Sequence, residues 1–169
     1  FHVRKVMRNY LPNDEESKHF ACLLQWDNIY YQEPTEEYIS PKTTVRVGLV
    51  QWQMRSYKTL DDLFEQVEFF VDSVSGYQSD FVLFPEYFNA PLMARFNDAS
   101  ESQAIRGLAR YTDEIRERFI NLAIRYNINI ITGSMPLIKE DGLLYNVGFL
   151  CRRDGTYEMY EKLHVTPDE

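Results

Sequence analysis

Glycine is absent before position 48, and the whole chain of 169 residues has only seven. A pyrophosphate-binding loop needs glycines where backbone must approach phosphate, so residues 1–47 hold no such loop. Cysteine is scarcer still. Cys22 and Cys151 stand far apart with no metal-ligand spacing, which excludes the disulfide-dense scaffold of a small secreted domain. The three histidines, His2, His19 and His164, are isolated, so no metal site is read. No apolar run approaches the roughly 18–20 residues that cross a bilayer, so no membrane partner is expected. Positive charge is also short: 18 Lys and Arg against 26 Asp and Glu give a net charge of −8. Its one basic cluster (Arg4, Lys5, Arg8) is followed by acids, so no nucleic-acid partner is expected. With no basic-then-apolar leader the reading is cytoplasmic. A start at Phe1, inside an apolar–basic alternation, reads as a piece excised from a longer polypeptide.

What the chain does have is an ordinary apolar fraction, 44%, with a high aromatic share of 15%. Residues 1–32 read as a β-hairpin around a polar loop at 11–18 carrying Pro12, Asn13 and Asp14. Residues 33–44, with Pro34 and Pro41, show no periodicity and read as a linker. From 45 the pattern changes. A strand is expected over 45–52 and a helix over 59–75. The helix has an apolar stripe of Leu60, Leu63, Phe64, Val67, Phe70, Val71 and Val74, Thr59 and Asp62 at its start and Gly76 at its end. A buried strand is expected over 80–84, a second helix from a Thr112 cap to Tyr126 stopped by Asn127, and another strand over 128–132. The segment 89–110 reads as a long loop. After Ser134 come strands only, 134–139, 143–152 and 156–163, with turns at Asp141-Gly142 and Asp154-Gly155. Strand, helix, strand, loop, helix, strand is an α/β order with near-parallel strands.

Two segments could carry chemistry. The apolar strand Asp80-Phe81-Val82-Leu83-Phe84 runs into Pro85 and then Glu86. Ligands collect beyond the carboxyl ends of strands in α/β sheets, so Glu86 stands where a catalytic carboxylate would. Position alone also allows a solvated turn residue. Lys162 closes a late strand, and a fixed ammonium in a dry site stabilises a forming oxyanion. A lysine among glutamates is more often a surface residue.

In order along residues 45–169, several short motifs resemble the nitrilase superfamily of carbon–nitrogen hydrolases. They are a strand ending at Gln51, Phe84-Pro85-Glu86, Thr132-Gly133-Ser134, Leu144-Tyr145-Asn146, the Asp154-Gly155 turn and Tyr160-Glu161-Lys162-Leu163-His164. The resemblance implies a four-layer α-β-β-α sandwich of which this chain holds the first half, with the N-terminal β-hairpin as an extension. It implies a Glu–Lys–Cys triad acting on a small-molecule amide, carbamoyl or nitrile substrate, with no cofactor, in a homodimer or higher homo-oligomer. Glu86 matches the glutamate that takes the thiol proton and later returns one to the leaving amine. Lys162 matches the lysine beside the tetrahedral intermediate's oxygen. Glu169 is similar to a second glutamate that positions substrate or supports the base. A glutamate base is pulled two ways, since burial raises its pKa and a neighbouring ammonium lowers it.

The family's cysteine lies beyond the lysine, and this chain stops seven residues after Lys162. Were Asp154-Gly155 a two-residue turn, Cys151 would pair with Glu158 and sit roughly 13 Å from Lys162. That separation makes Cys151 a structural thiol, as Cys22 is read to be, and the chain alone is expected to be inactive. Residues 1–32, notably Val6-Met7-Arg8-Asn9-Tyr10-Leu11-Pro12 and Ala21-Cys22-Leu23-Leu24-Gln25-Trp26, resemble the last hairpin of acyl-CoA-dependent N-acetyltransferases. A hairpin extension packed on the hydrolase domain is the other reading. For the parent, an acyl-CoA-dependent N-acetyltransferase activity and a non-catalytic nitrilase-like interaction module stand as alternatives. Substrate choice is expected to reside in loops such as 89–110.

Overall fold

The computed structural model describes residues 2–7, 15, 18, 21–25, 44–96 and 98–164, which fall in two units, 1–42 and 43–169. In the first unit β1 (His2–Met7) pairs antiparallel with β2 (Ala21–Gln25), with an irregularity between Val3 and Lys5. The expected linker at 33–44, all but Thr44, and the side chain of Cys22 lie outside the described residues, as does Glu169.

The second unit runs β3 (Val47–Leu49), α1 (Leu60–Gly76), β4 (Phe81–Leu83), a 3₁₀ helix (Ala90–Phe96), α2 (Glu101–Ala109), α3 (Thr112–Arg125), β5 (Asn129–Ile138), β6 (Leu144–Cys151) and β7 (Tyr157–Glu161). One five-stranded sheet results, in the order β3-β4-β5-β6-β7. The first three strands are parallel, because helices connect them; the last two are antiparallel, because short hairpins do.

Helix α1 begins as its sequence directs. Thr59 accepts from the Asp62 amide at 3.1 Å while the Asp62 carboxylate accepts from the Thr59 amide at 3.0 Å, a reciprocal cap. Its end falls at Gly76, one residue past the expected bound of 75, and Gln78, at φ +55°, makes the left-handed turn. Helix α3 ends at Arg125 and is stopped, as expected, at Asn127, whose φ of +49° lets its amide and that of Ile128 close on the carbonyls of Ile124 and Ala123. Thr112 is not the cap of α3 but its first residue. Its hydroxyl donates instead to the Pro136 carbonyl at 2.6 Å, tying the helix to β5. The loop expected over 89–110 is mostly helical: its apolar residues are too sparse to show a period, yet Leu92, Ala104 and Leu108 are buried.

Helices α1 and α3 cover one face of the sheet. Between them and β4 the rings of Phe64, Phe84 and Phe88 surround Phe119 at centroid distances of 5.3–5.5 Å. Val147, Phe149 and Cys151 of β6 point into this core, and Arg116 of α3 lies over Phe149 and Tyr157. Asn146, Gly148 and Leu150 alternate onto the opposite face. One helical layer on one sheet is half of the four-layer sandwich expected.

Both hairpin turns hold three residues, so the two-residue loop considered for Asp154-Gly155 does not form. Arg152 N donates to Thr156 O at 2.8 Å and Lys139 N to Leu143 O at 3.2 Å, with Gly155 and Gly142 at positive φ closing each loop. The extra residue moves the β6–β7 register by one. Cys151 therefore pairs with Tyr157, and Leu150 with Glu158.

Candidate active site

Strand β4 ends at Leu83, but its ladder continues. Phe84 N donates to Ile131 O at 2.9 Å and Tyr87 N to Ser134 O at 2.8 Å, so Pro85 and Glu86 are held against β5 between two fixed points. This close passage depends on Gly133. It sits at φ +70°, and a β-carbon there would lie 2.2 Å from the Pro85 carbonyl oxygen. On one side of it Thr132 bridges the irregularity in the β5–β6 ladder, its hydroxyl donating to Gly133 O and accepting from Phe149 N. On the other, Ser134 turns its hydroxyl to Glu86. The tripeptide Thr132-Gly133-Ser134 thus supplies a ladder repair, a close approach and a donor.

Lys162 arrives from the far edge. The β6–β7 pairing runs one residue past β7, with Lys162 N donating to Asn146 O at 2.9 Å. Lys162 and Asn146 therefore share the sheet face opposite the helices. The Lys162 ammonium lies 3.3 Å from Glu86 Oε1, although the two residues are 76 apart in sequence. Asn146 Nδ2 donates to the same oxygen at 2.8 Å and Ser134 Oγ at 3.0 Å. Asn146 and Ser134 are buried, while Glu86 is about half exposed (47% of its side chain). The Asn146 hydrogen bond is the largest influence on the carboxylate. It draws Glu86 below its ordinary pKa against the opposing push of desolvation, and Ser134 and Lys162 add to it. Glu86 is ionised at neutral pH, the state a proton acceptor requires.

Tyr160 completes the face. Its ring stacks over Gly148, where a β-carbon would meet the phenol at 2.2 Å, and burial followed by the charge of Glu86 raises its pKa. The alternation along β7 that puts Tyr160 and Lys162 on one face was there to be read. Hydrogen bonds from Ser134 and Asn146 were not, since they depend on the register. Two hollows, one lined by Arg55, Tyr57 and Asp62 and one by Leu137, Lys139 and Asp141, share no residue with this group.

Cys151 is excluded from the group on two counts. With Tyr157 as its partner it lies five residues from Lys162 along the ladder, about 17 Å. It also faces the helices, where burial pushes its thiol up to about 12. Glu169, the third residue expected here, falls outside the described residues. Among the described residues no group of three or more His, Cys, Asp or Glu could hold a metal ion, and no helix is long and apolar enough to cross a membrane.

A family model for carbon–nitrogen hydrolases matches residues 46–169. The chain belongs to the carbon–nitrogen hydrolase family. It is 38% identical over 170 residues to a probable hydrolase, YhcX, of Bacillus subtilis (strain 168). That match takes in the whole chain but only 33% of the relative, so the chain spans about a third of its length. Among solved structures, a carbon–nitrogen hydrolase from Helicobacter pylori G27 is similar at a TM-score of 0.60 and 18% identity, over 73% of this chain and 41% of that one. The NitN amidase from Nesterenkonia sp. AN1 gives 0.57 and 19%, over 73% and 46%. XC1258 from Xanthomonas campestris gives 0.56 and 24%, over 72% and 42%. These three establish the sandwich fold for the hydrolase segment. In each, the matched part is less than half of the solved chain, in keeping with one helical layer and one sheet.

Proposed function

We propose that the complete protein hydrolyses a non-peptide carbon–nitrogen bond in a small amide, carbamoyl or nitrile substrate. Glu86 and Lys162 serve as two members of a Glu–Lys–Cys triad whose cysteine lies outside this chain. The observation that carries this reading is the 3.3 Å contact between Glu86 and Lys162, formed by a carboxylate leaving a central strand and an ammonium leaving an edge strand. The chemistry follows from those two groups. Glu86 takes the proton of the attacking thiol, the thiolate adds to the substrate carbon, and Lys162 stabilises the oxygen or nitrogen anion that forms. The proton on Glu86 then passes to the leaving amine. Glu169 is assigned the support of the base on its resemblance alone.

Two similar structures bear on the missing nucleophile. A glutamate-to-glutamine mutant of the Nesterenkonia amidase shows the result of Michael addition of acrylamide at its active-site cysteine, and XC1258 carries an arsenic adduct in its active site. Because the described cysteine, Cys151, cannot reach Glu86, this chain alone is expected to be inactive. For residues 1–32 we retain the acetyltransferase-tail reading. The Bacillus subtilis relative is similar over all of this chain, and so has the hairpin segment and the hydrolase segment in one polypeptide.

The test is ammonia release by the complete protein from short aliphatic amides, an N-carbamoyl amino acid and an aliphatic nitrile. Turnover of one class that is lost in both Glu86→Gln and Lys162→Ala is the expected result. Wild-type rates in both variants would end the triad assignment, and no turnover of any class would favour the interaction-module reading. Symmetric self-association is also expected; sedimentation of the complete protein as a monomer contradicts it.

A further inference from the structure

Three donors reach Glu86, and all three reach one oxygen. Asn146 Nδ2 at 2.8 Å, Ser134 Oγ at 3.0 Å and Lys162 Nζ at 3.3 Å converge on Oε1, while no described group donates to Oε2. A carboxylate oxygen has about two lone-pair sites, so Oε1 is fully engaged, while among the described residues Oε2 takes no donor. The two neutral donors are the fixed ones. Both residues are buried, and each is locked through its own backbone: Asn146 O accepts from Lys162 N, and Ser134 O accepts from Tyr87 N next to Glu86. The amide of Asn146 cannot be turned round, because its carbonyl oxygen would then face a carboxylate.

Resting on the hydrolytic reading, we propose that Asn146 and Ser134 are positioning residues that hold Glu86 by Oε1 and so make Oε2 the oxygen that exchanges the proton. In the first step the thiol S–H bond breaks, its electron pair stays on sulfur and an O–H bond forms at Oε2. In the later step that O–H bond breaks, its electron pair stays on Oε2 and the proton joins the leaving amine. The anchor suits both states. When Oε2 carries the proton, Oε1 is a carbonyl oxygen that still accepts from the same three donors, so nothing need reorient as the proton comes and goes. A donor on Oε2 would have to be displaced before that oxygen could take the proton.

The test is the pH profile of kcat and kcat/KM for the complete protein on its best substrate, in Asn146→Asp and Ser134→Ala. Asp keeps the shape of Asn but replaces the donor with a second carboxylate, which raises Glu86 by like charge as well; the neutral Ser134→Ala only removes a donor, so a space-filling role would leave its profile where it is. The expected result is an acidic limb moved up by about one pH unit or more in Asn146→Asp, and less in Ser134→Ala. kcat should fall roughly 10- to 100-fold while KM stays within about twofold. The Glu86 carboxyl carbon, assigned against Glu86→Gln and followed by ¹³C NMR in folded protein, should titrate upward in the same order and needs no turnover. Limbs and carbon titrations that match wild type in both variants overturn the proposal, while an inactive Glu86→Gln then leaves the hydrolytic reading standing. A fully active Glu86→Gln overturns both.

Discussion

Asn146 and Lys162 face each other at the open end of the β6–β7 ladder, joined by a backbone hydrogen bond of 2.9 Å, and both side chains meet on Oε1 of Glu86. The backbone fixes where Lys162 starts, and the carboxylate fixes where it ends. The ion pair itself adds little to stability, since Glu86 is about half exposed and such pairs contribute about 0–1 kcal/mol. Lys162→Met, which keeps the stem and removes the charge, should therefore unfold within about 1 kcal/mol of wild type. Hydrolysis by the complete protein should fall by about 10³-fold or more. Paired denaturant melts and steady-state rates check this. A variant that keeps its rate removes Lys162 from the chemistry.

The pH dependence has a definite sign. Asn146, Ser134 and Lys162 depress the pKa of Glu86, so the group is ionised in the folded protein at a pH where a free glutamate is partly protonated. Activity that needs the carboxylate is present through neutral pH and is lost as pH falls through the depressed value. Stability contributed by these donors has the same sign, present above the unfolded pKa and lost on acidification. The acidic limb of kcat/KM should lie below the ordinary glutamate range. A limb near neutrality would mean that burial, not hydrogen bonding, sets this group.

Gly133 and Gly142 separate close approach from conformation. Both have positive φ, +70° and +76°, but a β-carbon at Gly142 meets nothing within 4 Å, whereas one at Gly133 meets the Pro85 carbonyl oxygen at 2.2 Å. Gly142→Ala should cost about 1–2 kcal/mol, the expense of a left-handed alanine. Gly133→Ala bears that expense and must also push β5 away from Glu86, which adds about 1–3 kcal/mol and parts Ser134 from the carboxylate. Urea melts of the two variants give the difference. Equal losses would show that the β5 passage tolerates displacement.

Much of this site was legible because strands announce themselves by composition and alternation. The run from Phe81 to Phe84 and the turn residue Pro85 place Glu86 at a strand end without any tertiary knowledge. The Thr59–Asp62 cap and the Asn127 stop are local chemistry and were equally readable. Register was not. Whether Asp154-Gly155 closes a two- or three-residue loop turns on where a positive φ falls, and that one residue decides which side chain meets Asn146. The donors on Glu86 were hidden for the same reason, since Ser134 and Asn146 lie 48 and 60 residues away and are brought in by the ladder. The helices in 90–109 were hidden differently, their burial coming from contact with β5 and the 3₁₀ segment, not from a regular apolar stripe.

Cys151 offers the sharpest check on where the nucleophile is not. Its side chain is fully buried on the helix face of β6, opposite to Asn146, and its thiol is pushed up to about 12. At pH 8 a thiol of that strength is about one part in 10⁴ thiolate, and burial denies it access to reagents. In native protein, alkylation followed by mass spectrometry of the peptide carrying Cys151 should show no label over a time in which unfolded protein is labelled completely. Cys151→Ala removes one buried sulfur and should cost about 1 kcal/mol, while the complete protein keeps its turnover within about twofold. If that variant loses activity by orders of magnitude while remaining folded, Cys151 is the attacking thiol. The face on which Glu86 and Lys162 meet would then not be where the substrate reacts.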